Sequence, residues 1–209
     1  MGGKIILTGW AMPKVTTEHK SKVREKIIQS AIKNFSKYGY ANTKMDEIAN
    51  LADVSKGTLY LYFTSKEELF YSICKYAEKS LVQNTTPLFK DKKNLNKDLG
   101  EFFDSYGMET KDTEKVWFEA IAESMRNPRL KQMIGRHKLG IEEYITTFLQ
   151  QMKSKGGFFK NDVDLRALAI GMIALYNGLT LNRIAGKPDS DNRDVWVKTM
   201  NAIFYGTGN

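Results

Sequence analysis

From His19 onward, apolar side chains recur at helical spacing. Val23, Ile27, Ala31, Phe35 and Tyr38 form one face of an amphipathic helix whose other face carries lysines. Gly39 stands where the residue just past a helix C-terminus is expected. Met45, Ile48, Ala49 and Ala52 predict a helix of barely two turns, with Thr43 as its cap and Asp53-Val54 as a tight connection. Ser55 then caps a second short helix, Lys56 to Tyr62, whose Leu59 and Phe63 face inward beside Val54. Ser65 followed by Glu67 and Glu68 has the form of a capping box and opens a helix running through Leu69, Ile73, Tyr76 and Ala77 towards Val82.

A polar break from Thr85 to Asn94, containing Pro87, precedes five long apolar patterns. They predict helices over 95–107, 111–126, 128–154, 163–185 and 191–205. In the third, Leu130, Ile134, His137, Ile141, Tyr144, Phe148 and Met152 share a stripe, with Pro128 in the first turn and Gly156-Gly157 as the stop. No stretch alternates in the manner of a strand, so the fold expected is all-α. Residues before the first helix carry Gly2, Gly3, Gly9 and Pro13, which predicts a flexible arm over 1–18. The remainder divides into 19–66, with the short helices, and 67–209, with the long ones.

Composition narrows the chemistry. The chain has 209 residues with one cysteine, Cys74, and two histidines. No internal disulfide can form, the cytoplasm is the natural setting, and little soft-ligand material exists for a zinc site. No metal and no cofactor are expected. The apolar run Ile5-Ile6-Leu7 is too short for a secretion signal. The longest uncharged apolar stretch, Ala167 to Asn182, falls short of the roughly 20 residues that span a bilayer.

The net charge of +8 is concentrated at one end. Residues 1–44 hold nine lysines and arginines against two acids, while the rest of the chain is almost balanced. Such asymmetry suits an N-terminal region that meets a polyanion. Two short helices with a three-residue turn, following a longer basic helix, make a helix-turn-helix pattern. The second short helix would present Ser55, Lys56 and Thr58 to base edges in the major groove, with Gly57 allowing close approach. Tyr60 and Tyr62 offer hydroxyls, and the helix starts at Thr43-Lys44 and Ser65-Lys66 offer amides plus an ammonium to phosphate.

The order Thr43-Lys44-Met45-Asp46-Glu47-Ile48-Ala49, then Ala52-Asp53-Val54-Ser55-Lys56-Gly57-Thr58-Leu59-Tyr60-Leu61-Tyr62-Phe63, then Lys66-Glu67-Glu68-Leu69, closely resembles the DNA-binding domain of TetR-family transcriptional regulators. One departure is Asp53, where a glycine is common. The resemblance covers about residues 20–70. It implies that Thr43, Lys44, Tyr60, Tyr62 and Lys66 hold phosphates and that Ser55 to Thr58 read bases. It also implies a helical second domain that binds an effector and forms a homodimer.

In that second domain, large apolar and aromatic residues suggest an effector pocket. Its expected lining is Phe102, Tyr106, Trp117, Ala120 and Ile121, then Met133, His137, Tyr144 and Phe148, then Met172 and Tyr176. The segments Trp117-Phe118-Glu119-Ala120 and Gly157-Phe158-Phe159 resemble those of members that sense hydrophobic metabolites, and a long-chain acyl-CoA would suit an elongated apolar cavity. The helix over 163–185 is apolar nearly all round and needs cover on two sides. Ile170, Gly171, Ala174 and Gly178, with Trp196, Met200 and Phe204 on the last helix, are the expected dimer interface. The reading is a repressor released from a palindromic operator by its effector. An architectural DNA-binding protein without an effector is the alternative. An all-α enzyme is disfavoured, because no carboxylate accompanies a nucleophile motif or a phosphate loop.

Overall fold

The computed structural model describes residues 16–156, 158–159 and 162–207; residues 1–15 of the arm expected over 1–18, and Gly157, lie outside the described residues. Thr16 caps α1 (Thr17–Asn42), its hydroxyl accepting the His19 amide at 3.2 Å, so Thr17 and Glu18 belong to the helix and not to the arm. The helix kinks at Gly39, whose φ of 78° and ψ of 164° lie in a region essentially confined to glycine. A β-carbon at this position would also stand 2.5 Å from a Glu119 carboxylate oxygen, the atom that accepts the Tyr40 amide at 2.9 Å.

The turn into α2 (Met45–Leu51) corrects one expectation: Lys44, not Thr43, is the N-cap. Thr43 is buried, and its hydroxyl donates to the carbonyls of Gly39 at 2.8 Å and Asn34 at 3.2 Å. Between α2 and α3 (Lys56–Tyr62), Asp53 adopts a φ of 49°. Few side chains besides glycine, asparagine and aspartate tolerate that conformation, which accounts for aspartate standing in a glycine-favouring position. In front of α4 (Lys66–Thr85), Ser65 Oγ accepts the Glu68 amide at 3.2 Å. The Glu68 carboxylate reaches one residue further back than a capping box requires, to the amide and hydroxyl of Thr64 at 2.8 and 2.6 Å.

A 3-10 turn at Lys92–Asn94 leads into α5 (Leu95–Ser124), a single 30-residue helix where the pattern predicted two. Gly107 marks a close approach, not a break: a β-carbon there would meet Arg183 Nη1 at 3.2 Å and the Tyr176 hydroxyl at 3.7 Å. Then come α6 (Pro128–Gly156), α7 (Leu165–Ile184) and α8 (Asp189–Thr207). Asn127 Oδ1 accepts the Leu130 amide at 3.0 Å at the start of α6, and Asp164 caps α7. No strand occurs among the described residues.

Two apolar clusters organise these helices. The first joins Ile27, Ala31 and Phe35 of α1, Ile48 of α2, Leu59 of α3 and Leu69, Phe70 and Ile73 of α4. It also takes in Val116 and Ala120 of α5 and Leu130 and Ile134 of α6, so the reading domain rests on the ends of the long helices. The second gathers Leu99, Phe102 and Phe103 of α5, Leu149 and Met152 of α6, Leu179 of α7 and Trp196, Met200 and Phe204 of α8. These last three are almost fully buried, at 2%, 0% and 1% exposure. They were expected at a dimer interface; instead they fill their own domain's core.

Helix α7 packs on α6 and α8, with Tyr176 against rings of α5, and leaves one apolar stripe uncovered. Ile170, Gly171, Ala174, Gly178, Leu181 and Ile184 are exposed, and a β-carbon on either glycine would meet nothing within 4 Å. By length and composition α7 is also apolar enough to cross a membrane, with only 17% of its most apolar window buried. Covering one such leucine or isoleucine completely yields about 1.5–3 kcal/mol, so this stripe favours a partner surface.

Candidate nucleic-acid interface and effector cavity

The start of α3 is an exposed polar edge. Ser55 Oγ accepts the Thr58 amide at 3.0 Å and lies 2.8 Å from the Thr58 hydroxyl, so the cap fixes both side chains. Lys56 Nζ pairs with Asp46 on α2 at 2.9 Å while staying mostly exposed. The hydrogen bond and charge of Asp46 raise the Lys56 pKa above the ordinary lysine value. Gly57 is exposed, and a β-carbon there would approach only Ser55 Oγ, at 3.9 Å. Tyr60 is 40% exposed, whereas Tyr62, expected to point outward, is half-buried and packs against the first core. Lys44 is exposed, with its amide 3.4 Å from Glu47 Oε2.

Two of the expected phosphate ligands are engaged internally. Thr43 is turned into the fold, as described. Lys66 Nζ donates to the carbonyls of Tyr40, Ala41 and Thr43 at 2.8, 3.0 and 3.2 Å, and sits 4.7 Å from the centre of the Tyr40 ring. Its three protons therefore serve the carbonyls left open where α1 ends. Burial lowers its pKa below the ordinary lysine value, against the opposing pull of Glu67 and Glu123. The periodic pattern missed Leu61, which is 86% exposed on α3.

Between α4, α5, α6, α7 and α8 lies a cavity of about 300 Å³ with a largely apolar wall. Of the expected lining, the structure brings together Phe102, Tyr106, Trp117, His137, Tyr144, Phe148, Met172 and Tyr176. Three residues are corrections. Ala120 is fully buried in the first core, Ile121 packs against that core, and Met133 is buried away from the cavity. The physical reason is that α5 leaves the second core after Tyr106 and belongs to the first from Val116 onward. Thr85, Phe89 and Leu149 also line the cavity, as do Ile141 and Met152, which the pattern placed on the α6 stripe but not in the lining. Phe89 lies in the polar break with a φ of 60°, its amide donating to Asp98 at 2.7 Å and its ring edge-on to Phe148 at 5.8 Å. A loop residue of this kind gives no periodic signal.

Several polar groups of the wall pair within the protein, while the buried Tyr176 hydroxyl has no hydrogen-bond partner. His137 Nδ1 is 2.7 Å from Glu78 Oε1. Burial lowers the His137 pKa, with Glu78 acting in the opposite sense, so the neutral ring is favoured. Glu114 is ion-paired with Arg183, and the Thr85 and Tyr144 hydroxyls share a hydrogen bond. Burial pushes the Tyr176 hydroxyl up to about 12 and raises that of Tyr106 further, so both stay protonated. Cys74 also lines the cavity, and burial raises its thiol pKa well above the range of a nucleophile. No cluster of three potential metal ligands occurs among the described residues.

The cavity is in mechanical contact with the reading domain. Trp117 lies edge-on to His137 at 5.0 Å and stacks on Phe70 of the first core at 6.4 Å with an interplanar angle of 9°. Two residues further on, Glu119 holds the Tyr40 amide at the end of α1.

Comparison with known proteins finds two family matches. Residues 27–73 match the description "Bacterial regulatory proteins, tetR family", and residues 94–201 match "BetI-type transcriptional repressor, C-terminal". The HTH-type transcriptional regulator YfiR of Bacillus subtilis is 29% identical over 200 residues, covering 92% of this chain and 94% of its own. Among solved structures, Salmonella enterica GusR superposes with a TM-score of 0.72 at 26% identity, covering 92% of this chain and 97% of its own. A TetR-family regulator from Rhodococcus sp. gives a TM-score of 0.75 at 17% identity, covering 88% of this chain and 99% of its own.

Proposed function

The chain belongs to the TetR family of bacterial transcriptional regulators, and from that premise we propose that it is a cytoplasmic homodimeric repressor whose palindromic operator is released when an apolar effector fills the cavity. Lys44 and Tyr60 engage phosphates, and Ser55, Lys56, Gly57 and Thr58 meet base edges in the major groove. Thr43 and Lys66 support this surface from within. The exposed stripe on α7 forms the two-fold interface together with the exposed side of α8, where Val195 and Tyr205 lie outward. This requires no burial of Trp196, Met200 or Phe204 between subunits.

The observation that carries the effector reading is the cavity itself, joined to the reading domain through the Trp117–Phe70 stack. Its wall is largely apolar and its carboxylates Glu114 and Glu142 are ion-paired with arginines, which favours an apolar occupant, with the Tyr176 hydroxyl as one open polar handle. A volume of about 300 Å³ suits a single acyl chain. The phosphates of a coenzyme A head group would remain outside, because an apolar wall cannot solvate them. Occupancy presses on Trp117, shifts α5 against α4, and favours a dimer whose reading heads no longer match successive grooves.

The test is release of a fluorescent operator duplex by fatty acyl compounds of increasing chain length, with mass spectrometry of any lipid that co-purifies. Release that strengthens with chain length, together with a raised melting temperature of the free protein, is the expected result. A complex that acyl compounds leave intact, and a small polar metabolite dissolves, refutes the effector assignment. Binding that no small molecule relieves favours the architectural reading.

A further inference from the structure

Leu61 is the most exposed of the large hydrophobic side chains among the described residues, at 86%. It sits on a seven-residue helix whose other apolar groups are inside: Leu59 is fully buried, and Tyr62 packs on the same core. Phe63, the residue after that helix, is 1% exposed. Helical geometry puts Leu61 one turn beyond Gly57 and Thr58, on the side that carries both. Gly57 leaves this side open, with nothing nearer than 3.9 Å to a β-carbon. The outward face therefore runs from the Thr58 hydroxyl and the open notch at Gly57 to an isobutyl group that is almost wholly uncovered.

We propose that Leu61 is a specificity-determining residue that packs against the 5-methyl group of a thymine in each operator half-site. The inference rests on the assignment of α3 as the reading helix. In the major groove, base edges present hydrogen-bond donors and acceptors, and the thymine methyl is their one apolar feature. A branched aliphatic chain has no hydrogen bond to offer and gains only from apolar contact. Gly57 allows the backbone close enough for a side chain one turn later to reach the groove floor. Lys56 and Thr58 read polar edges, and Leu61 adds a preference for T·A pairs through a purely apolar contact.

The experiment uses the full chain and an operator selected from random duplexes. Each dT is replaced in turn by deoxyuridine, which removes the methyl group alone, and Kd is measured for the wild type and for Leu61→Ala. One thymine per half-site should weaken the wild type about fourfold, the worth of one buried methyl at ~0.8 kcal/mol, and roughly fifteenfold when both half-sites are changed. Leu61→Ala should bind more weakly and lose nothing further at that thymine, while responding to other replacements like the wild type. Its melting curve should match the wild type, since the side chain is exposed in the free protein. A Leu61→Ala protein as sensitive to the missing methyl as the wild type overturns the proposal, as does a wild type indifferent to every replacement. An operator preference unchanged in Lys56→Ala and Thr58→Ala is a different failure, because it removes α3 as the reader.

Discussion

Replacing Gly39 by alanine probes both the strained end of α1 and the brace that Glu119 provides from α5. At a φ of 78° and ψ of 164°, alanine incurs about 1–3 kcal/mol of backbone strain. Its β-carbon would stand 2.5 Å from Glu119 Oε2, so the carboxylate has to withdraw and release the Tyr40 amide. A hydrogen bond to a charged acceptor contributes about 1.5–3 kcal/mol, and the lower end applies because the Glu119 side chain is 36% exposed. The sum is a loss of about 3 kcal/mol, a large share of the 5–15 kcal/mol typical of folded proteins. Urea unfolding followed by helical circular dichroism reads it as a lower midpoint at constant slope. In a Glu119→Ala background the clash and the bond are both absent, so the same substitution should cost about 1.5 kcal/mol less. A loss below about 0.5 kcal/mol would refute the strain at Gly39. Equal losses in the two backgrounds would refute the brace.

Three further outcomes are expected. Lys66→Met should lower stability by about 1–2 kcal/mol, since three carbonyls lose a charged donor, and leave the slope of log K against log salt unchanged; a slope flatter by about one would return Lys66 to the phosphate contacts. Gly178→Trp should convert a dimer to a monomer in light scattering without lowering helicity, because the added side chain enters open space on the free subunit; a wild type already monomeric at micromolar concentration would remove the interface. His137 has its pKa lowered by burial, so as pH falls the unfolded chain takes up this proton first. Its contribution is therefore present above the unfolded pKa of about 6.5 and declines below it, and His137→Gln should flatten that part of the stability profile.

The helix-turn-helix was legible in the chain because its determinants are local. Cap hydroxyls at Ser55 and Ser65 act on amides three residues away, and the spacing of Ile27, Ala31 and Phe35 marks one face of one helix. The charge asymmetry and the order of residues 43–69 needed no third dimension either. What tertiary structure decided are the matters that depend on residues far apart in sequence. The pattern ends a helix at residue 107, until Arg183 and Tyr176 are seen beside Gly107 in one continuous helix. Lys66 reads as a phosphate ligand until the carbonyls some 25 positions earlier claim its protons. Ala120 reads as cavity wall until α5 is seen to pass from one core to the other.

Periodicity identifies which side of a helix avoids water, and says nothing of what covers it. The apolar stripes of α7 and α8 were equivalent on that criterion. In the fold, Trp196, Met200 and Phe204 are covered by their own domain, whereas Ile170, Gly178 and Leu181 are not. Burial is a property of where neighbouring helices lie, and loop lengths and long-range packing set those positions. Local pattern thus determined the helices and the reading head, and only the assembled fold decided which apolar side chains are covered and by which helices.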